Sequence, residues 1–244
     1  MVGLYWTRYS QRPYCGGTLI KPDIVLTAAH CKPSVGSYVK LGDYDTRFVE
    51  GTERMISVAM VFIHGHYNLY THNNDIALLR LSKPAEPGNF INTACLPAAP
   101  AVSGKECYVT GWGDIGTWHL HSATLREAKV PIINNRYCRM RLGGQVSDRM
   151  LCAGYLSHHL GACMGDSGGP LVCENNGKFY LHGIVSWGVG CRPPGVYTDV
   201  SKYLKWIEEK SNTKVLTVPT PRPHYVRPIL RYPLYWTVIP RKSR

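Results

Sequence analysis

No run of this chain approaches the roughly 18 unbroken apolar residues that a membrane-spanning helix requires. The opening stretch, Met1 to Ser10, carries Arg8 and no long apolar centre, so it does not read as a secretory leader. No two cysteines have C-x-x-C spacing, which argues against a zinc site. No Asn-x-Ser/Thr acceptor occurs, so N-glycosylation says nothing about localisation. Acidic residues are absent after Glu209, where Lys214, Arg222, Arg227, Arg231, Arg241, Lys242 and Arg244 supply seven of the net +12 charges. The rest of the chain is therefore only mildly basic. Its charge decides nothing about substrate, and neither a nucleic acid nor a membrane is expected as partner.

What is present is glycine, proline and cysteine. Gly 24 and Pro 17 among 244 residues suit a turn-rich β protein, and 44% hydrophobic content is ample for a core. Nine cysteines point to an oxidising compartment, hence a secreted protein. Short β-rich runs recur over 17–20, 24–27, 38–41, 55–63 and 76–81. A second set covers 106–110, 128–133, 170–173, 179–185 and 195–198. Glycine- or proline-bearing turns between them favour a sandwich or barrel. The Pro- and Ala-rich stretch 82–105 reads as a linker between the two sets. Val200, Tyr203, Leu204 and Ile207 recur at the spacing of an amphipathic helix. Prolines 219, 221, 223, 228, 233 and 240 then exclude regular helix or central strand from the basic tail over 211–244. That tail reads as disordered, with docking of its apolar part, 232–239, as the alternative.

The chemistry lies in three short segments. Gly165-Asp166-Ser167-Gly168-Gly169-Pro170 sets one serine between glycines, just after Cys163. Glycines permit the backbone turn needed if two N–H groups are to face one oxyanion. Thr27-Ala28-Ala29-His30-Cys31 supplies a base titrating near neutral pH, and Asn74-Asp75-Ile76-Ala77 an aspartate leading an apolar strand. Each segment alone is weak. Their order, His, Asp, Ser, is that of one known catalytic triad. On these motifs the chain resembles the chymotrypsin/trypsin-like serine endopeptidases from its first residues to about Lys210.

The resemblance implies an all-β fold of two six-stranded antiparallel barrels with a C-terminal helix. The protease domain would cover 1–210, with barrel one at about 1–100, barrel two at about 105–200 and the helix at 201–210. Ser167 would be nucleophile, His30 base and Asp75 its orienting acid, with the N–H groups of Gly165 and Ser167 as oxyanion hole. Ser186, Trp187 and Gly188 match the strand that pairs with substrate backbone, and His72 a position lining the second subsite. Gly161 falls on the floor of the primary pocket, where trypsin-like members carry aspartate. Gly188 and Gly195 match its walls and Met164 its mouth. An uncharged floor disfavours a buried lysine or arginine and accepts a large apolar side chain. One departure is the short segment Cys191-Arg192-Pro193-Pro194-Gly195, which leaves open a displaced wall or an Arg192 that favours acidic groups.

By the same resemblance Cys15 pairs with Cys31, Cys107 with Cys173, Cys138 with Cys152 and Cys163 with Cys191. Cys95 is left over, either as half of a bridge to an upstream pro-segment or light chain, or as a free buried thiol. Asp43, Asp45, Glu50 and Glu53 match a calcium-binding loop, with a solvated acidic loop as the alternative. No cofactor is required beyond such a structural ion. The family's mature chains begin with an Ile-Val-Gly-Gly-like segment whose ammonium group pairs with the residue before the serine, here Asp166. That segment is not in this sequence, which therefore reads as a truncated, zymogen-like chain whose oxyanion loop relaxes. The rival readings are an inactive protease-like binding module, and a protease tethered to polyanions by its basic tail.

Overall fold

In the computed structural model, residues 1–115, 121–155 and 161–212 are described. The tail over 213–244 lies outside them, and with it most of the segment read above as disordered.

Twelve strands close into two barrels. The first is ordered β1(Val2–Tyr5)–β2(Cys15–Lys21)–β3(Ile24–Thr27)–β6(Ala77–Leu81)–β5(Arg54–Ile63)–β4(Tyr38–Leu41). The second is ordered β10(Pro170–Asn175)–β11(Lys178–Val189)–β12(Arg192–Asp199)–β9(Met150–Ala153)–β8(Arg126–Ile133)–β7(Glu106–Gly111). All strand pairings are antiparallel; β11 runs on to Val189 past the end of its pairing with β10 at Ile184, so the part carrying Trp187 is paired with β12 alone. The side-chain alternation of a half-buried strand is plain in β7, where Cys107 and Val109 point inward between exposed or half-buried neighbours. β3, between β2 and β6, is instead buried along its whole length.

Each barrel has its own apolar interior. Leu4, Val25, Leu41, Ile56 and Leu79 fill the first. Val109, Val130, Leu151, Leu171 and Tyr197 fill the second. Two helices complete the domain. In α1 (Asn135–Arg141), Asn134 caps the N-terminus by accepting from the Arg136 N–H at 2.9 Å, and Arg139 and Arg141 sit in the last turn, where cations suit the helix dipole. The expected C-terminal helix is α2, running Leu204–Asn212 rather than from 201. A 3₁₀ turn, Val200–Lys202, capped by Asp199, occupies the earlier residues, and Tyr203 ends it. Val200, Tyr203 and Ile207 still reach the first barrel's core, as their spacing predicts. β9 and α1 carry no strong periodicity and were not expected from sequence.

Candidate active site

Asp75 organises the centre of the domain. It sits just ahead of β6 and is fully buried. The chain reaches it through two residues of left-handed backbone, His72 and Asn74. Asn74 is held from both sides: its amide donates to the His66 carbonyl at 2.8 Å, and the Tyr203 hydroxyl donates to it at 3.2 Å. A buried carboxylate is tolerated only when its lone pairs are filled. The His30 backbone N–H donates to Oδ1 at 2.9 Å, His30 Nδ1 lies 2.7 Å from Oδ2, and Ser186 Oγ donates to Oδ2 at 2.6 Å. Thr198 Oγ1 donates to the Asp75 carbonyl at 2.7 Å.

His30 lies in a single 3₁₀ turn, Ala29–Cys31, that follows β3 directly. Its ring is anchored through one nitrogen and keeps 19% of its side chain exposed. His72 packs edge-on against it, with ring centroids 5.7 Å apart. Burial lowers the affinity of His72 for a proton more than the nearby Asp75 raises it.

The loop carrying Ser167 docks against the same corner of barrel one. The Gly16 N–H donates to the Ser167 carbonyl at 2.7 Å, and the Gly168 N–H to the Val185 carbonyl at 2.9 Å. Gly168 has φ +77, and a Cβ there would fall 2.3 Å from Thr27 Oγ1 and 2.6 Å from the Gly16 carbonyl oxygen. Only glycine fits this approach, which seats Ser167 against the end of the strand leading to His30. Gly165, at φ +95, likewise turns the loop, with the His121 ring beside it. Among the described residues neither the Gly165 nor the Ser167 N–H has an acceptor.

Asp166 is nearly buried and points away from this corner. Gly113 N–H donates to Oδ1 at 2.8 Å and Cys163 N–H to Oδ2 at 2.9 Å. Desolvation nevertheless raises its pKa, outweighing these two bonds. Where the resemblance implies an ammonium partner, two backbone donors from the adjoining loops hold the Asp166 carboxylate in this structure.

The residues read as the primary pocket lie among the described residues. A Cβ at Gly161 or Gly188 would meet nothing within 4 Å, whereas one at Gly195 would touch the Tyr197 ring at 3.3 Å. Tyr197 is buried, and desolvation raises its pKa. Met164 is 60% exposed, and Arg192 is exposed at the start of β12. Trp187 is half-buried and packs on the cluster of Cys138, Val146, Met150 and Val196.

Disulfides join Cys15 to Cys31, Cys107 to Cys173, Cys138 to Cys152 and Cys163 to Cys191. Cys95 is free and half-buried; its N–H and carbonyl bond to Phe179 and Leu181 on either side of Tyr180. Of the four acids read as a calcium loop, Asp43, Glu50 and Glu53 bring one carboxylate oxygen each within 4.8 Å of one another. Asp45 does not join them, because Arg47 Nε and Nη2 hold both its oxygens at 2.9 and 2.6 Å. Lys40 Nζ lies 3.1 Å from Asp43 Oδ2, while the buried Asp43 Oδ1 has no hydrogen bond among the described residues.

Sequence reasoning missed the tie of Ser186 to Asp75. Ser186 was read only as part of a substrate-binding strand, and no local spacing reveals a contact made across 111 residues.

The chain matches the Trypsin family over residues 1–207. It is 42% identical over 199 residues to Trypsin I-P1 of Gallus gallus, covering 80% of this chain and 78% of that protein. It is 42% identical over 198 residues to Trypsin-3 of Salmo salar, covering 80% and 81%. With Trypsin of Sus scrofa the identity is 40% over 200 residues, covering 80% and 84%. With two closed β-barrels meeting at a buried aspartate and a histidine, the chain belongs to the trypsin family of serine endopeptidases.

Proposed function

We propose that this protein cleaves peptide bonds through Ser167, His30 and Asp75, and that it does so after large apolar residues. The observation that carries the reading is the Asp75–His30 pair at 2.7 Å, with the serine loop seated on the same corner of barrel one. A free serine hydroxyl is a poor nucleophile and needs a base. His30 Nε2 takes the Ser167 proton as Oγ attacks the substrate carbonyl carbon. Asp75 fixes the tautomer and stabilises the imidazolium formed. The N–H groups of Gly165 and Ser167 receive the oxyanion. Such a donor is worth about 3 kcal/mol of transition-state stabilisation. Collapse of the tetrahedral adduct breaks the C–N bond, and His30 returns the proton to the departing amine. Water then hydrolyses the acyl-enzyme by the same steps.

Specificity follows from a floor without charge. Gly161 faces open space, Gly188 and Gly195 form the walls, Met164 borders the mouth and the Trp187 strand pairs with substrate backbone. A cation taken into such a pocket loses hydration and gains no partner. Asp166 belongs to the activation pocket: an ammonium group against its carboxylate would offset the cost of burial and hold the oxyanion loop. Asp43, Glu50 and Glu53 offer the all-oxygen donor set that suits calcium. Four disulfides favour a secreted protein. A bridge from Cys95 to an upstream segment and retention of polyanions by the basic tail remain parts of this proposal.

The test is labelling with a fluorophosphonate probe, with Ser167→Ala as control, followed by profiling on peptide libraries. Labelling lost in the variant and cleavage after aromatic or large aliphatic residues are expected. If neither this chain nor a longer, proteolytically activated form is labelled while folded, the catalytic reading falls in favour of a binding module; labelling of the longer form alone makes this chain a zymogen-like one. Cleavage confined to lysine and arginine would overturn the pocket assignment alone.

A further inference from the structure

A second concave surface lies beside the catalytic loop and takes no part in the chemistry above. It is a cleft of about 510 Å³ whose lining includes Arg12, Arg47 and Arg126 together with Ile115, His121 and Ser122. Three arginines come from three separate places: the β1–β2 connection, the acidic loop after β4, and the start of β8. They are not equally free. Arg47 is neutralised by Asp45 at 2.6 Å, and His121 Nδ1 lies 3.2 Å from Asp114 Oδ1. Arg126 Nε reaches only the Ser122 hydroxyl, at 3.3 Å. Among the described residues neither Arg12 nor Arg126 forms an ion pair, so the uncompensated charge of the cleft rests on these two.

Its rim is apolar. Ile115 is 46% exposed, and next to Arg47 stand Phe48, beneath the guanidinium at 5.2 Å, and Val49, which is 92% exposed. Arginine beside exposed aromatic and aliphatic side chains is the composition of a protein-binding surface. A sulfated glycan would draw on a dense row of unpaired cations and would gain nothing from this rim.

The cleft also shares structure with the site. The His121 ring lies against Gly165, and the Ser122 N–H donates to the Gly113 carbonyl at 3.1 Å, while the Gly113 N–H donates to Asp166. A polypeptide reaching the catalytic serine could therefore extend into the cleft.

We propose that this cleft is an exosite for an acidic polypeptide segment, whose carboxylates meet Arg12 and Arg126 while an apolar side chain packs on Ile115 and Phe48. That the segment belongs to a substrate rests on the peptidase reading; that the cleft binds it does not.

The experiment is fluorescence anisotropy with a fluorescein-labelled peptide of glutamates interspersed with leucines, on the full chain carrying Ser167→Ala so that no digestion occurs. Three variants are compared: R12Q/R126Q, Ile115→Glu, and one with the tail arginines 222, 227, 231 and 241 changed to glutamine. All three sites lie outside the proposed triad. The expected result is a Kd raised about tenfold by R12Q/R126Q, as the loss of two charge-assisted contacts implies. Ile115→Glu should weaken binding too, added salt should do so for wild type, and the tail variant should match wild type. The proposal is overturned if the tail variant accounts for the affinity, if a glutamine version of the peptide binds equally well, or if only heparin shows dependence on Arg12 and Arg126. Because the serine is absent throughout, failure here leaves the peptidase reading standing, and failure of fluorophosphonate labelling leaves this one standing.

Discussion

Asp166 carries the clearest pH signature among single residues. Its folded pKa is raised, chiefly by desolvation, above the roughly 3.9 of an unfolded aspartate. The native state therefore holds this proton at pH values where the unfolded chain has released it. The sign follows from linkage: the contribution favours the fold below the unfolded pKa and is lost as pH rises through the folded one. In melting curves recorded from about pH 4 upward, Asp166→Asn should lose less stability with rising pH than wild type does. Parallel curves would show that Asp166 ionises normally. Ser186 permits a second prediction at this scale. Its hydroxyl fills a lone pair of buried Asp75 at 2.6 Å, so Ser186→Ala leaves that oxygen short of a donor. Peptide hydrolysis should slow about tenfold in kcat with KM little changed, the mark of a positioning residue acting through His30. An equal rise in KM would instead assign Ser186 to substrate binding.

Among the elements, the loop between β4 and β5 has the most to gain from a ligand. Its three converging carboxylates repel one another, and only Lys40 supplies a nearby ammonium, at Asp43. Millimolar calcium should raise Tm by about 2–4 °C, the shift expected for 1 kcal/mol in a domain of this size. Glu53→Gln should abolish the rise, and a wild-type Tm indifferent to calcium would leave the loop a solvated one. The same loop illustrates how far sequence reaches. The resemblance grouped Asp43, Asp45, Glu50 and Glu53; the fold brings Asp43, Glu50 and Glu53 near one another, and no local signal foresaw that Arg47 would claim Asp45. Strands with strong alternation or β-branched content, such as β3 and β5, were legible within a residue or two. β9, only four residues long, and α1, fixed by its Asn134 cap and the Cys138–Cys152 bridge, were not. The start of α2 was misplaced because Asp199 caps a 3₁₀ turn that shares the helix's apolar spacing. His30, Asp75 and Ser167 could be named from short motifs. The ties that cross between barrels could not, since they depend on register established over a hundred residues or more.

Across the whole molecule, every disulfide stays within one barrel: one bridge in the first, three in the second. The halves are joined by chain and by non-covalent contact. Asp75 is central to that contact. Rooted ahead of β6, it accepts from Ser186 of β11 with its carboxylate and from Thr198 of β12 with its carbonyl. Tyr203, after the last strand, reaches Asn74 beside it. The aspartate that would orient the base is thus also a point of attachment between the barrels.

This double duty sets a clock on solvent. The His30 amide proton is given to the buried Asp75, whose carboxylate also accepts from Ser186 of the second barrel, so parting of the seam should loosen it. Its exchange for deuterium should keep pace with the slowest amides of both barrel interiors, although its side chain stands at the surface of the cleft. Native-state exchange at this one amide would then report opening around Asp75, whether within the first barrel or at the seam.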